Sequence, residues 1–184
     1  MGIIALIVLV ALIALGVSLY NRLVGLKNRS ENSWSDIDVQ LKRRHELIPN
    51  LVETVKGYAS HEQKTLQGVT EARTRAMQGG APADRARAEG ELSRSIGALF
   101  AVAEAYPQLR ANENFVALQS QLASLEEAIQ NARRYYNAIV RDLNTATEAF
   151  PSNLIANSFG FARCEYFELD SAAERSVPKV SFGA

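Results

Sequence analysis

The sequence predicts an all-α protein in which an N-terminal transmembrane helix is followed by a bundle of three long helices and one short helix. Three observations predict this class. The chain begins with an uncharged apolar stretch, the later apolar residues recur at helical spacing, and Gly and Pro separate the longest periodic stretches. Only 11 glycines and 5 prolines occur among 184 residues, while Ala, Leu, Glu, Arg and Gln are abundant, which also favours helices.

The uncharged stretch at residues 3–19 reads IIALIVLVALIALGVSL. With its uncharged neighbours it reaches about 20 residues, roughly the length that crosses a 30 Å hydrocarbon core. Tyr20 and Arg22 then stand where an interfacial aromatic residue and the first charge are expected. A cleaved signal peptide is the alternative, but no Lys or Arg precedes the apolar run and no clear processing site follows it. The sequence therefore predicts an uncleaved single-pass anchor at residues 1–21.

Three basic residues, Arg22, Lys27 and Arg29, follow the apolar stretch. By the positive-inside rule they place the bulk of the chain in the cytoplasm, as part of a single-pass plasma (inner) membrane protein. Because the margin is only three charges, a periplasmic or other extracytoplasmic bulk domain is the alternative.

Between the anchor and Gln78 the apolar residues follow three- and four-residue steps and predict one long helix. Its apolar face comprises Trp34, Ile37, Leu41, Ile48, Val52, Val55, Ala59, Leu66 and Val69. Pro49 lies inside this pattern, where it removes one backbone hydrogen bond and meets the carbonyl of His45, at a cost of about 3 kcal/mol. A kink at Pro49 is favoured over a helix boundary, because the apolar residues keep one register from Leu41 to Val55.

Two further long helices are predicted after the Gly- and Pro-containing segment at residues 79–82. The second helix, residues 84–105, has Asp84 as its expected N-cap. Its apolar face comprises Leu92, Ile96, Leu99, Ala103 and Tyr106. The third helix is capped by Asn112 and shows unbroken heptad spacing, which is typical of a helix packed in a left-handed bundle or coiled coil. Its seam comprises Phe115, Leu118, Leu122, Leu125, Ile129, Ala132, Tyr136, Ile139, Leu143, Ala146 and Phe150.

Pro151 ends the third helix, and PSNLIANSFG predicts a short fourth helix closed by Gly160. The apolar residues that follow, up to Leu169, are enough to dock or to form a short extended piece. The chain thus divides into an anchor at residues 1–21, a helical bundle at residues 22–168, and a flexible or partner-ordered tail at residues 169–184.

The charged residues offer no catalytic constellation. His45 and His61 are each followed by Glu, as in the zinc-protease motif HExxH, but Pro49 and Thr65 stand where the second histidine is required. On one helix the two histidines would lie about 24 Å apart, too far to share an ion. Both are expected as partly exposed helix residues. The sequence therefore predicts no enzymatic activity, no metal and no cofactor.

The balance and placement of charge also limit the function. Twenty Lys and Arg residues match twenty Asp and Glu residues, so the chain lacks the basic surplus of a nucleic-acid binder. Arg43 and Arg44 belong to a KRR run that covers about 200° of a helix and cannot share one face. A solvated face is the favoured interpretation. The alternative is a bidentate pair between one of these arginines and a carboxylate of a neighbouring helix or subunit.

Four segments together resemble the LemA family of bacterial membrane-anchored helical proteins. They are YNRLVGLKN after the anchor, WSDIDVQLKRRHELIPNLVETVKGYASHE, ARRYYNAIVRDLN and FPSNLIANSFGF. The resemblance covers roughly residues 20–168 and implies a bundle of long antiparallel helices behind one transmembrane helix. It also assigns to the family signatures Arg43, Arg44, Leu47, Ile48, Pro49, Asn50, Leu51, Val52, Tyr136, Asn137, Phe150, Pro151 and Asn153.

The resemblance implies no established catalytic activity, and one magnetosome member of the family has been linked to membrane shaping. The resulting hypothesis is a membrane-anchored, non-enzymatic interaction or scaffold protein that self-assembles and is linked to membrane organisation. A peptide- or lipid-binding module with a site between helices near Pro49 is the alternative. The expected partners are the lipid bilayer, further copies of the chain and other membrane proteins. The expected interaction surface comprises Arg43, Arg44, His45, Pro49, Asn50, Glu62, Asn137 and Asn153.

Self-association is expected from apolar residues outside the predicted seams, namely Phe100, Val102, Val116 and Tyr135. On co-anchored chains such residues favour a homo-oligomer, because the shared membrane raises their effective concentration. The alternative is a monomer in which the segment at residues 161–169 covers the same positions.

Overall fold

A computed structural model of the chain describes residues 1–168, which contain six helices and no strand. The helices are α1 (Gly2–Lys56), α2 (Gln63–Met77), α3 (Pro82–Glu104), α4 (Pro107–Arg110), α5 (Glu113–Glu148) and α6 (Ser152–Phe159). The predicted all-α class is confirmed. The predicted tail at residues 169–184 lies outside the described residues.

The first long helix ends earlier than predicted. α1 ends at Lys56 and α2 begins at Gln63, so the periodic pattern up to Gln78 belongs to two helices rather than one. In the turn between them, the carbonyl of Val55 accepts hydrogen bonds from the N–H groups of residues 58 and 59, at 3.0 and 2.8 Å. Val55 and Ala59 belong to the same buried core. The apolar spacing therefore continues across the turn, so it does not indicate that the helix ends there.

Pro49 lies inside α1, so it neither ends nor begins a helix. At the start of α5, Oδ1 of Asn112 accepts a hydrogen bond from the N–H of Phe115 at 3.0 Å, which confirms the predicted cap. The predicted cap at Asp84 is wrong, because α3 begins two residues earlier at Pro82 and Asp84 lies in its first turn. Proline is favoured at the first helical position, where its missing N–H costs nothing.

The chain forms two compact units. The first unit comprises Met1–Arg43 and Ser124–Tyr166, and thus the first part of α1, most of α5, and α6. Its buried cluster consists of Leu23, Leu143, Ala146 and Ala156. Farther along α1, the rings of Trp34 and Tyr136 lie 5.3 Å apart. Leu23 and Trp34 of α1 thus lie near Leu143 and Tyr136 of α5, respectively. Residue numbers rise along α1 as they fall along α5, so the two helices are antiparallel in this unit.

The second unit comprises Arg44–Ala123 with residues 167–168. Contacts between Arg75 and Glu91 at one end, and between Glu62 and Tyr106 at the other, make α2 and α3 antiparallel. The core of the second unit is formed by the predicted apolar faces of α2 and α3, together with residues from the end of α1, α4 and the start of α5. That core comprises Ile48, Leu51, Val55, Ala59, Leu66, Val69, Ala72, Ala76, Leu92, Ile96, Leu99, Ala103, Leu109, Phe115 and Leu122.

The seam predicted for the third long helix is largely buried in α5, but its last residue is not. Phe150 is 80% exposed, because α5 ends at Glu148. The expected lateral exposure is also wrong for Phe100 and Val102, which pack against the core of the second unit. Val116 and Tyr135 are exposed as predicted.

Candidate functional site

Arg44 lies on the buried side of α1, three residues after Leu41 and four before Ile48. Its side chain is 2% exposed. The guanidinium forms an ion pair with the carboxylate of Glu89 on α3 and donates a hydrogen bond to Oγ of Ser93 at 2.9 Å. The solvated face favoured from the sequence is therefore wrong for Arg44. The alternative was a bidentate pair with a carboxylate of a neighbouring helix or subunit. Such a partner is observed in Glu89 of α3, whose Oε2 contacts Nη2 of Arg44 while its Oε1 contacts His45.

Glu89 is fully buried and both oxygens of its carboxylate are engaged. One oxygen accepts from Arg44, and the other lies 2.9 Å from Nε2 of His45. Because an ionised carboxylate can only accept hydrogen bonds, this second contact places a hydrogen on Nε2. We call Arg44, His45, Glu89 and Ser93 the buried charge cluster. An isolated buried carboxylate would be costly, and pairing both oxygens offsets that cost.

The backbone carbonyl of His45 accepts a hydrogen bond from a side chain of another helix. In an α-helix the carbonyl of residue 45 would accept from the N–H of residue 49, but Pro49 has no N–H. Nε of Arg73 on α2 instead donates to this carbonyl at 2.8 Å. The hydrogen bond that Pro49 removes from α1 is thus replaced by a contact that ties α2 to α1.

These contacts suit the buried charge cluster to stability rather than to catalysis. A general acid or base must reach its substrate, whereas Arg44, His45 and Glu89 are at most 4% exposed. The expectation of a partly exposed histidine is accordingly wrong for His45. Within residues 1–168, no three His, Cys, Asp or Glu side chains are grouped so that they could hold a metal ion.

The eight residues of the expected interaction surface do not form one surface. Arg44 and His45 are buried, Glu62, Asn137 and Asn153 are half-buried, and Arg43, Pro49 and Asn50 are exposed. Whether any of them binds a partner stays a prediction. The sequence reasoning missed Glu89 and the burial of Arg44, although both occupy helical-spacing positions among apolar residues. A charged residue at a position where the spacing calls for an apolar one is the sequence signal that could have indicated a buried ion pair.

A second region of interest lies in the first unit, where α1 leaves its uncharged stretch. α1 is long and apolar enough to cross a membrane, and its most apolar window is entirely exposed. Directly after this stretch Leu23 is fully buried. The ring of Tyr20 lies 4.8 Å from the ring of Phe159 and 5.8 Å from that of Phe161. The end of the apolar stretch is therefore in contact with α6 and the segment that follows it.

The segment after α6 is docked, as its apolar residues predicted. The side-chain amide of Asn144 donates to the carbonyl of Cys164 at 3.0 Å, and its Oδ1 accepts from the N–H of Cys164 at 2.9 Å. The hydroxyl of Tyr136 donates to the carbonyl of Glu165 at 2.8 Å. Burial raises the pKa of Tyr136 from 10.0 to about 12, with further contributions from Cys164 and Glu165.

An open cleft of about 620 Å³ lies in the same unit, between the start of the bundle part of α1 and the end of α5. Its charged lining consists of Arg22, Arg29 and Asp142. Arg22 and Arg29 are seven residues apart and so lie on one side of α1. The cleft can therefore present two positive charges to an anionic group close to the end of the apolar stretch.

In residues 1–168 the fold and the candidate span define an all-helical protein with one helix long and apolar enough to cross a membrane. The LemA family profile matches residues 33–182, and the chain belongs to the LemA family. It is 25% identical to magnetosome protein MamQ 2 of Paramagnetospirillum magneticum over 95% of this chain and 74% of that protein. It is 24% identical to magnetosome protein MamQ of Magnetospirillum gryphiswaldense, over 92% and 72% of the two chains. Protein LemA of Metamycoplasma hominis is 24% identical over 80% and 68%. None of these names denotes an enzyme.

Proposed function

We propose that this protein is a single-pass membrane-anchored, non-enzymatic interaction or scaffold protein that holds a helical bundle at the membrane surface. The observation that carries the proposal is the course of α1. Leu23 is part of a buried cluster with Leu143, Ala146 and Ala156, only three residues beyond Tyr20. Because α1 has no loop between the uncharged stretch and this cluster, the span joins the first unit without a flexible linker.

The chemistry of the interior supports a non-enzymatic role. The side chains of Arg44, His45 and Glu89 are buried, and the arginine and the histidine are each paired with Glu89. The relatives named as magnetosome proteins, together with the link of one magnetosome member of the family to membrane shaping, support a role in membrane organisation.

Anchoring is tested by alkaline extraction of membranes that contain the full chain. An Arg near the middle of a span costs about 2.5–3.5 kcal/mol on insertion scales, so the double variant Leu9→Arg/Leu12→Arg should move from the membrane pellet to the supernatant. Val39→Arg is the matched control, because Val39 is exposed on the same helix beyond the span. A double variant that stays in the pellet as the wild type does would contradict anchoring by residues 3–19.

Self-association is the finer part of the proposal, and two exposed apolar side chains support it. Val116 and Tyr135 are 50% and 56% exposed, and co-anchored copies would meet with a fixed orientation. Light scattering in mild detergent should give a protein mass that is a multiple of 20.2 kDa. The double variant Val116→Ser/Tyr135→Ser should shift that mass towards a single chain. A wild-type mass of one chain at all concentrations would reject the oligomer.

We further propose that the bundle lies in the cytoplasm, because Arg22, Lys27 and Arg29 follow the span. A full-length Cys164→Ser/Ser124→Cys variant provides one exposed thiol on α5. A membrane-impermeant maleimide should label it only after the cells are permeabilised. Labelling in intact cells would favour the extracytoplasmic alternative.

Lipid or peptide binding is the second candidate function, and the open cleft favours a lipid. Near Pro49, where this site was expected, Ile48 and Leu51 are buried in the core, whereas the cleft is lined by Arg22 and Arg29 in the first unit. Native mass spectrometry of the detergent-solubilised protein should retain an anionic phospholipid. Arg22→Gln/Arg29→Gln should lose it, while the control Arg134→Gln should not. Equal retention in both variants would reject the cleft as a lipid site.

A further inference from the structure

Three large apolar side chains around α6 are exposed although the helix itself is docked. Phe150, Leu154 and Phe159 are 80%, 57% and 63% exposed. On the docked side of the helix, Ser152 and Ala156 are buried. Leu154 points away from this docked side, whereas Phe150 precedes the helix and Phe159 lies at its last residue beside Tyr20.

The position of α6 along α1 indicates what those surroundings are. A Cβ built on Gly16 would lie 3.9 Å from Cδ1 of Ile155, and the ring of Phe159 packs on that of Tyr20. Gly16 belongs to the uncharged stretch and precedes its last residue, Leu19, by about 4.5 Å along the helix axis. α6 therefore lies beside the last turn of the span, at the level where hydrocarbon gives way to headgroups.

We propose that α6, with Phe150, inserts into the interfacial region of the lipid bilayer beside the span and forms a second membrane contact. The proposal rests on the proposed anchoring, because only an inserted span sets α6 at this depth. A helix suits this location because its backbone hydrogen bonds are satisfied within the segment. Exposed Leu and Phe side chains on a short amphipathic helix are the residues that bury into the headgroup and acyl boundary.

The consequence is a fixed orientation of the first unit on the membrane. A span alone permits rotation about its axis, whereas a second contact beside it selects one side of the first unit to face the lipid. An apolar helix in one leaflet also makes the interaction sensitive to lipid packing and curvature. The bilayer is preferred to a second copy of the chain as the occupant, because the exposed residues continue the lipid-facing surface of residues 3–19.

The test uses single-cysteine variants of the full chain in a Cys164→Ser background, in phosphatidylcholine/phosphatidylglycerol vesicles. Leu154→Cys and Phe150→Cys report on α6, Val17→Cys on the span, and Ser124→Cys on an exposed site of α5. Each carries an environment-sensitive nitrobenzoxadiazole fluorophore, and emission is measured with and without lipids that bear a shallow nitroxide. The fluorophore at residues 150 and 154 should emit at shorter wavelength than that at residue 124 and should lose emission to the nitroxide, as at residue 17.

The outcomes separate this inference from the proposed anchoring. If the Val17→Cys probe is not quenched, anchoring itself fails and the inference falls with it. If that probe is quenched while both α6 probes emit as the Ser124→Cys probe does, the α6 contact is overturned and anchoring stands. A shift to shorter wavelength on α6 without quenching by the lipid nitroxide also overturns the inference, because it indicates that protein rather than lipid covers the helix.

Discussion

In the second unit two charged side chains, Arg44 and Glu89, are buried among apolar residues, whereas in the first unit a long series of apolar side chains is exposed. Each departs from the usual distribution of residues, and each is informative for that reason. Buried charge persists when it is paired, as it is here. Exposed apolar surface indicates an interaction, and in the first unit its position along α1 indicates a membrane. The buried ion pair therefore stabilises the second unit, and the exposed apolar residues of α1 suit the first unit to a membrane.

Disrupting the buried charge cluster should lower the free energy of unfolding most. Glu89→Ala leaves the guanidinium of Arg44 buried without its carboxylate, so we expect the free energy of unfolding to fall by about 3–5 kcal/mol. Glu91→Ala is the matched control, because Glu91 lies on the same helix in an exposed ion pair with Arg75, and it should change stability by about 0.5 kcal/mol or less. Urea unfolding of the full chain in detergent measures both. Equal stability of the two variants would contradict a structural role for the cluster.

Two leucines of the first unit differ in burial and should therefore differ in their effect on stability. Leu143 is 1% exposed in the buried cluster and Leu154 is 57% exposed on α6. Leu143→Ala should lower the free energy of unfolding by about 2–5 kcal/mol, through lost burial and a cavity. Leu154→Ala should change it by about 0.5 kcal/mol or less. A large loss in Leu154→Ala would mean that α6 is covered by protein in solution.

The next effect concerns the carbonyl of His45, which accepts from Arg73. Arg73→Ala should cost about 1.5–3 kcal/mol, the range for a hydrogen bond from a charged group. In a Pro49→Ala background the N–H of residue 49 can satisfy the same carbonyl, so the same substitution should cost less. A double-mutant cycle from four urea curves gives the coupling. A coupling free energy of zero would contradict the proposal that Arg73 replaces the hydrogen bond that Pro49 removes.

The smallest effect is that of Tyr136→Phe, which removes the hydrogen bond to Glu165 and should cost about 0.5–1.5 kcal/mol at neutral pH. The pKa of Tyr136 is about 12 in the folded protein against an ordinary 10.0. The unfolded chain therefore ionises first, and this contribution is full below pH 10 and lost as the pH rises towards 12. Stability should fall less over that window in Tyr136→Phe. If stability falls equally with pH in the wild type and in Tyr136→Phe, ionisation of Tyr136 is not the cause of the fall.

Much of the fold could be predicted because apolar spacing reports burial directly. The seam at Phe115, Leu122 and Ile129 and the cap at Asn112 were predicted from such local signals and are present. The turn after Lys56 could not be predicted, because Ala59 lies within the turn and still continues the apolar spacing of α1.

The buried charge cluster was missed for a different reason. A lone sequence does not show which carboxylate meets Arg44, and Glu89 is 45 residues away in the chain. The exposed side of α6 likewise depends on its docking beside Gly16 and Tyr20, a tertiary contact that periodicity cannot report.

Hydrogen exchange of the full chain in lipid nanodiscs, for the wild type and Glu89→Gln, tests the assignment of the two regions most directly. Gln keeps the shape of the side chain but removes the charge that pairs with Arg44. We expect faster amide exchange in Glu89→Gln across buried segments of the second unit, including those around Ile48, Val69 and Leu92, with protection at residues 3–19 unchanged. Exchange that stays unchanged in the second unit, or that rises at residues 3–19 instead, would contradict the account.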